Sequence, residues 1–189
     1  METIPESDQA QYLTFLIGGE EYAVALLRIR EIIEYDTVTR VPSTPAWIRG
    51  VINVRGSVVP VVDLAVKFGL PESTVTRRTC IVIVEVLLEG QETAMGVIAD
   101  SVNQVVDLGP REIEPAPAFG TRVKVDFLAG MGKLGKRFAL ILDIDRVLST
   151  GELLAAAAAA DTTSGDETPP VEAGPENEPP PEAAEGATA

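Results

Sequence analysis

Short apolar runs of five to eight residues, punctuated by glycine and proline, fill the first 150 positions of the chain and predict β-strands. Tyr12–Ile17 reads as a strand, Gly18-Gly19 as a turn and Tyr22–Ala25 as the returning partner. Apolar residues at 26, 29, 32 and 33 suit a helical turn that feeds a strand continuing to Tyr35. Thr44 is placed to N-cap a single helical turn with Pro45 in its first position. Val51–Val54 and Val58–Asp63 flank Arg55-Gly56-Ser57, a hairpin in which Gly56 is free to take positive φ. The run Val58–Val62 is continuously apolar and predicts a strand covered on both faces. Pro60 lacks a donor and belongs at an edge or a bulge. A short helix over Leu64–Phe68 ends at Gly69. Cys80–Leu87 and Thr93–Ala99 form a second hairpin around Glu89-Gly90. Gln104–Leu108, Val123–Ala129 and Arg137–Leu142 complete the strands, and Asp143 or Asp145 is placed to N-cap a last helix, from about 144 to about Ala160.

About ten short strands with no long helix between them exclude a doubly wound sheet. The polar break at Gly69–Arg78 divides the body into comparable halves, about 11–70 and about 79–142. Two five-stranded barrels packed side by side follow from that division, with a single sandwich as the alternative. Residues 1–10 read as a disordered N-terminus. An alanine run, Ala155 to Ala160, gives way to a Pro/Ala/Glu segment over 162–189 that has one branched aliphatic, Val171, and no aromatic. It lacks the apolar surface needed to offset its conformational entropy and predicts a disordered tail.

The formal net charge is -14, but its distribution is uneven. All 15 basic residues fall in 1–150 beside 20 acids, whereas the last 39 residues hold nine acids and no base. A mildly acidic body without a basic cluster is a poor partner for nucleic acid. Histidine is absent, which excludes Ser-His and Cys-His nucleophiles, His-ligated metals and a phospho-accepting histidine. The single cysteine, Cys80, allows no internal disulfide and opens an apolar strand as a packed thiol. The acidic N-terminus has no signal-peptide core and no run reaches membrane-span length, so the expected location is the cytoplasm. Gly130-Met-Gly132-Lys-Leu-Gly135 matches GxGxxG, yet a strand rather than a helix follows it, and a glycine-rich hairpin is the better reading. Asp143 and Asp145 are explained by helix capping without a cation. No catalytic constellation and no cofactor is expected.

The segment Arg40–Leu64 carries Asn53-Val-Arg-Gly-Ser-Val-Val-Pro-Val-Val-Asp-Leu64. This strongly resembles the signature of the CheW family of chemotaxis coupling proteins, N-[LV]-R-G-x-x-x-P-[VI]-[VI]-D-L. The resemblance continues in order through Glu20-Glu21-Tyr22, Arg30-Glu31-Ile32, Gly96–Asp100, Ile113–Pro117, Phe127–Gly130 and Leu140–Asp143, and so covers roughly Gln11 to Ser149. It implies two SH3-like barrels without enzymatic activity. It also implies a bridge between the cytoplasmic tip of methyl-accepting chemoreceptors and the regulatory domain of the histidine kinase CheA, peripheral to receptor clusters. Ile29, Glu31, Arg55, Cys80 and Val105 match receptor-binding positions, and Gly50, Gly56 and Phe119 match kinase-facing ones. Glu114 and Ala118 depart from the charges expected of the second kinase surface. A coupler for pilus motility or surface sensing has the same fold and is the alternative; a small β nucleotide-binding protein is a distant third.

Overall fold

The computed structural model describes residues 9–117 and 123–148. Eleven strands occur in this order: β1 (Ala10–Ile17), β2 (Glu20–Ala25), β3 (Ile29–Glu34), β4 (Ile48–Val54), β5 (Ser57–Val62), β6 (Cys80–Leu88), β7 (Gln91–Ala99), β8 (Ser101–Leu108), β9 (Ile113–Glu114), β10 (Leu128–Leu134) and β11 (Arg137–Leu142). Helix α1 (Leu64–Lys67) follows β5, and α2 (Ile144–Leu148) follows β11. A 3₁₀ turn at Leu26–Arg28 leads into β3, as the spacing of apolar residues there predicts. No helix forms at Pro45: Ile48 donates to the Pro45 carbonyl in one turn, and Thr44 Oγ1 donates to the Val41 carbonyl instead of capping.

The strands form two sheets, β8-β1-β2-β11-β10-β9 and β3-β6-β7-β5-β4. Their membership corrects the expected division of the chain. Neither barrel is built from 11–70 or from 79–142 alone, because the opening hairpin of each half pairs with the later strands of the other half. Hairpin β1–β2 joins β8–β11, and hairpin β6–β7 joins β3–β5. The two halves are also equivalent in detail. β5 runs parallel to β7 at Val61 and Val62, and β11 runs parallel to β2 at Leu140 and Ile141. The register of β4 on β5 slips at Gly50, and that of β10 on β11 slips at Gly130. Barrel A (the β1 sheet) and barrel B (the β3 sheet) therefore share one strand topology.

Strand alternation explains why the barrels stay together. On β6, Ile81 and Ile83 point into barrel B, while Val82, Val84 and Val86 point the other way. On β1 and β2, Leu13, Phe15, Ile17, Tyr22 and Val24 face those valines, and Ala23 faces the inside of barrel A. The largest apolar cluster thus lies between the barrels, and each barrel keeps a small core of its own. The expectation that β5 is covered on both faces holds for Val61 and Val62, which are fully buried in different clusters. Both backbone groups of Val51 bond to Thr39, so its partner Pro60 has its nitrogen turned away from β4. On that other side β7 pairing begins only at Val61, and the missing donor costs no rung.

The GxGxxG segment divides by role. Gly135 takes φ 64 in the hairpin turn, whereas Gly130 and Gly132 lie within β10. A Cβ at Gly130 would sit 2.8 Å from the Glu114 carbonyl, and one at Gly132 would sit 2.5 Å from Leu108. Close strand approach accounts for both. Asp143 caps α2 through the Arg146 N–H at 3.2 Å. Asp145 does not cap; it accepts the Leu87 N–H at 2.8 Å and pairs with Arg28. The expected disordered N-terminus, 1–10, is contradicted at its end, where Ala10 opens β1 and pairs with Leu108; residues 1–8, the expected extension of α2 to Ala160 and the acidic tail lie outside the described residues.

Candidate functional site

The β4–β5 connection is a two-residue turn in which Arg55 takes φ 51 and Gly56 φ 89. Asn53 Oδ1 accepts the Gly56 N–H at 2.9 Å and closes it. The left-handed conformation of Arg55 costs an L-residue about 1–2 kcal/mol. It directs the guanidinium toward β3, where Arg55 Nη2 donates to Glu31 Oε2 at 3.1 Å. Arg55 is 82% exposed and Glu31 22%, so the pair contributes no more than ~1 kcal/mol and does not offset the strain. Arg30, Val54, Val59, Ile83 and Ala94 complete a hollow of about 230 Å³ around it.

β3 and β8 are each an edge of their sheet, β4 and β9 being the opposite edges. Ile29 on β3, Cys80 at the start of β6 and Val102 on β8 pack half-buried against the inter-barrel cluster. Ile32 pairs with Val82 and Val105 pairs with Leu13, so each faces the same side as a member of that cluster. Both remain open, Ile32 at 44% and Val105 at 46% exposure. The Val102 backbone lies beside the Cys80 thiol at this point. Burial pushes the Cys80 thiol above its ordinary pKa, and the Val102 backbone opposes the rise only in part. The five residues expected on the receptor side therefore form two groups. Ile29, Cys80 and Val105 belong to an apolar strip between the edges, while Glu31, opposite Ile83, meets Arg55 on the other face of β3. The sequence reading missed Ile32 and Val102; their signal was apolar spacing along short strands whose edge position was not visible.

Of the residues expected on the kinase side, Gly56 occupies the exposed turn and Gly50 a buried bulge in β4. A Cβ at Gly50 would lie 2.1 Å from the Thr39 carbonyl oxygen. Phe119 lies outside the described residues. The sequence reading also missed the role of Asp63, which is 1% exposed. It accepts the N–H of Ala65 at 3.1 Å, the N–H and hydroxyl of Ser73 at 2.9 Å each and Arg49 Nη2 at 3.0 Å. Arg49 also donates to the Ser73 carbonyl and to Glu72, so this network fastens the 69–78 loop to barrel B.

The model of the CheW-like domain family matches residues 11–152. The chain belongs to the CheW-like family. The chemotaxis protein CheW of Klebsiella aerogenes is 37% identical over 143 residues, covering 76% of this chain and 84% of that protein. CheW of Bacillus subtilis is 34% identical over 137 residues, covering 72% and 85%. The crystal structure of the scaffolding protein TtCheW from Thermoanaerobacter tengcongensis superposes with a TM-score of 0.68 at 28% identity, covering 76% of this chain and 95% of that one. The CheW-like match assigns this chain the role of a chemotaxis coupling adaptor on a two-barrel, SH3-like fold. Among the described residues no helix is long and apolar enough to cross a membrane, and no three His, Cys, Asp or Glu side chains gather as a metal site.

Proposed function

We propose that this CheW-like chain, acting without chemistry of its own, couples the cytoplasmic tip of methyl-accepting chemoreceptors to the regulatory domain of CheA at receptor clusters. A receptor helix lays its apolar face along Ile29, Ile32, Cys80, Val102 and Val105, in the manner of a helix in a groove. Glu31 and Arg55 hold the turn beside that strip in one geometry. Gly50, Gly56 and Phe119 serve the kinase side. The observation that supports this best is that two unpaired edge strands, one from each barrel, flank an open apolar strip on the seam between the barrels. Each patch is small, so individual contacts are weak and strength comes from many couplers acting together.

The test is co-sedimentation of the purified chain with receptor-bearing membranes and CheA. Wild type pellets with both, and Ile32→Asp and Arg55→Glu lose the receptor while keeping the wild-type melting temperature. The reading fails if wild type ignores both companions or if neither substitution changes the pelleted fraction.

A further inference from the structure

The shared strand topology gives the Glu31–Arg55 hollow a counterpart in barrel A. In barrel B the register of β3 slips between Ile29 and Glu31, leaving Arg30 as the extra residue. In barrel A the register of β8 slips opposite Thr14 and Phe15, leaving Asn103 as the extra residue. Bulges re-aim side chains, and both slips turn polar groups toward the mouth of their barrel. Arg137, beside the β10–β11 turn, plays the part of Arg55, and the acid has moved from the edge strand to Glu21 on β2. Arg137 Nη1 lies 3.4 Å from Glu21 Oε2, with Arg137 72% exposed and the Glu21 side chain only 7%. Leu16, Val102 and Gln104 complete an open hollow of about 550 Å³.

The two sites also differ in how the acid is held. Arg55 makes a hydrogen bond to Glu31, but Arg137 makes none to Glu21. Asn103 Nδ2 donates to Glu21 Oε1 at 3.0 Å, while Glu21 Oε2 is buried with no hydrogen-bond partner among the described residues. The exposed Arg137 guanidinium partly offsets the charge of this oxygen at 3.4 Å but gives it no hydrogen bond, and a buried acceptor without one is expensive. The carboxylate oxygen accepts and cannot donate, so the group that relieves it is a donor, best a cationic one. The neighbouring edge of β8 offers unpaired backbone groups to an extended segment.

We propose that this hollow is a second docking point, in which Glu21 Oε2 receives an arginine or lysine side chain of a partner polypeptide lying along β8. The hollow shares Val102 of β8 with the apolar strip, but its carboxylate is read by the charge of the probe and not by what occupies that strip. The test is amide chemical-shift mapping of the full chain against N-acetyl-arginine methylamide and its neutral isostere N-acetyl-citrulline methylamide. The arginine probe produces saturable shifts confined to Gly19–Ala23, Val102–Gln104 and Arg137, and the citrulline probe does not. Glu21→Gln binds the arginine probe about tenfold or more weakly, the loss expected for a charge-assisted hydrogen bond. Arg137→Ala removes only an exposed side chain and binds at least as tightly, because the competing cation is gone. Equal shifts from citrulline, an absence of saturable shifts, unchanged binding by Glu21→Gln or weaker binding by Arg137→Ala would each overturn the proposal.

Discussion

Replacing Gly50 and Gly56 with alanine separates two glycines that the sequence motif treats alike. At Gly56 the backbone has φ 89 and an added Cβ meets nothing within 4 Å. The cost is therefore conformational alone, about 1 kcal/mol. At Gly50, φ is 147 and the added Cβ would lie 2.1 Å from the Thr39 carbonyl oxygen and 2.7 Å from its carbon. Backbone atoms cannot rotate aside. The bridge between Thr39 and Val51, with bonds of 2.9 and 2.8 Å, has to open. Glycine-only backbone strain of about 1–3 kcal/mol, plus about 1 kcal/mol for each of two lost hydrogen bonds, gives a loss of about 3–5 kcal/mol. That is a large share of the ~5–15 kcal/mol that holds a domain folded. Urea unfolding followed by tryptophan fluorescence reads it directly, since buried Trp47 sits just before β4. Equal midpoints for the two variants, or a loss below ~1 kcal/mol for Gly50→Ala, would refute the packing argument. The consequence for function is direct: lost coupling in a Gly50 variant reports misfolding, whereas lost coupling in a Gly56 variant reports a surface.

Three further outcomes are expected. Asp63→Ala leaves the Arg49 guanidinium, 13% exposed, without its buried partner; thermal or urea unfolding should show a loss of about 3–5 kcal/mol, and one below ~1 kcal/mol would deny the network its role. The Cys80 thiol holds its proton more tightly when folded than when unfolded. Its contribution is thus complete below the ordinary thiol pKa of ~8.5 and declines as pH rises beyond it. Wild type should lose more stability than Cys80→Ala between neutral and alkaline pH, and parallel curves for the two would contradict the buried assignment. Expressed separately, residues 1–74 and 75–189 should each lack a cooperative melt and regain one when mixed, because each sheet draws strands from both pieces. A cooperative transition in either piece alone would show that the exchange is dispensable.

What the sequence revealed and what it withheld divide along the range of the interaction. Turns and strands were legible because Gly56, Gly90 and the alternating apolar residues of β6 act within a few positions of themselves. The tight approach of Gly50 to Thr39 spans eleven residues and a bulge, and no local pattern announces it. The partnership of β1–β2 with β8–β11 lies further still beyond periodicity: two equivalent halves predict two barrels whether or not they trade hairpins. Thr44 misled for a related reason, since Ser, Thr and a following proline suit a tight turn as well as a helix start. The Glu31–Arg55 pairing was anticipated only through the family resemblance. Asp63 stood in plain view after an apolar run, but its burial depended on a loop ten residues away.

The traded hairpins bear on how an adaptor can transmit a signal. Had each half closed its own barrel, the seam between barrels would be an ordinary domain interface, and relative motion would be the default. Here the links Ala25–Ile29, between β2 and β3, and Ala99–Ser101, between β7 and β8, both cross the seam, and the largest apolar cluster fills it. Moving one barrel against the other would strain two short connections and open that cluster. The apolar strip lies on this seam, with one edge strand from each barrel. A partner seated there reads the relative placement of both barrels, and a displacement imposed on either edge strand is carried into the other barrel through packed atoms. Rigidity across the seam lets a displacement imposed on one barrel arrive at the other as a displacement, without being absorbed between them.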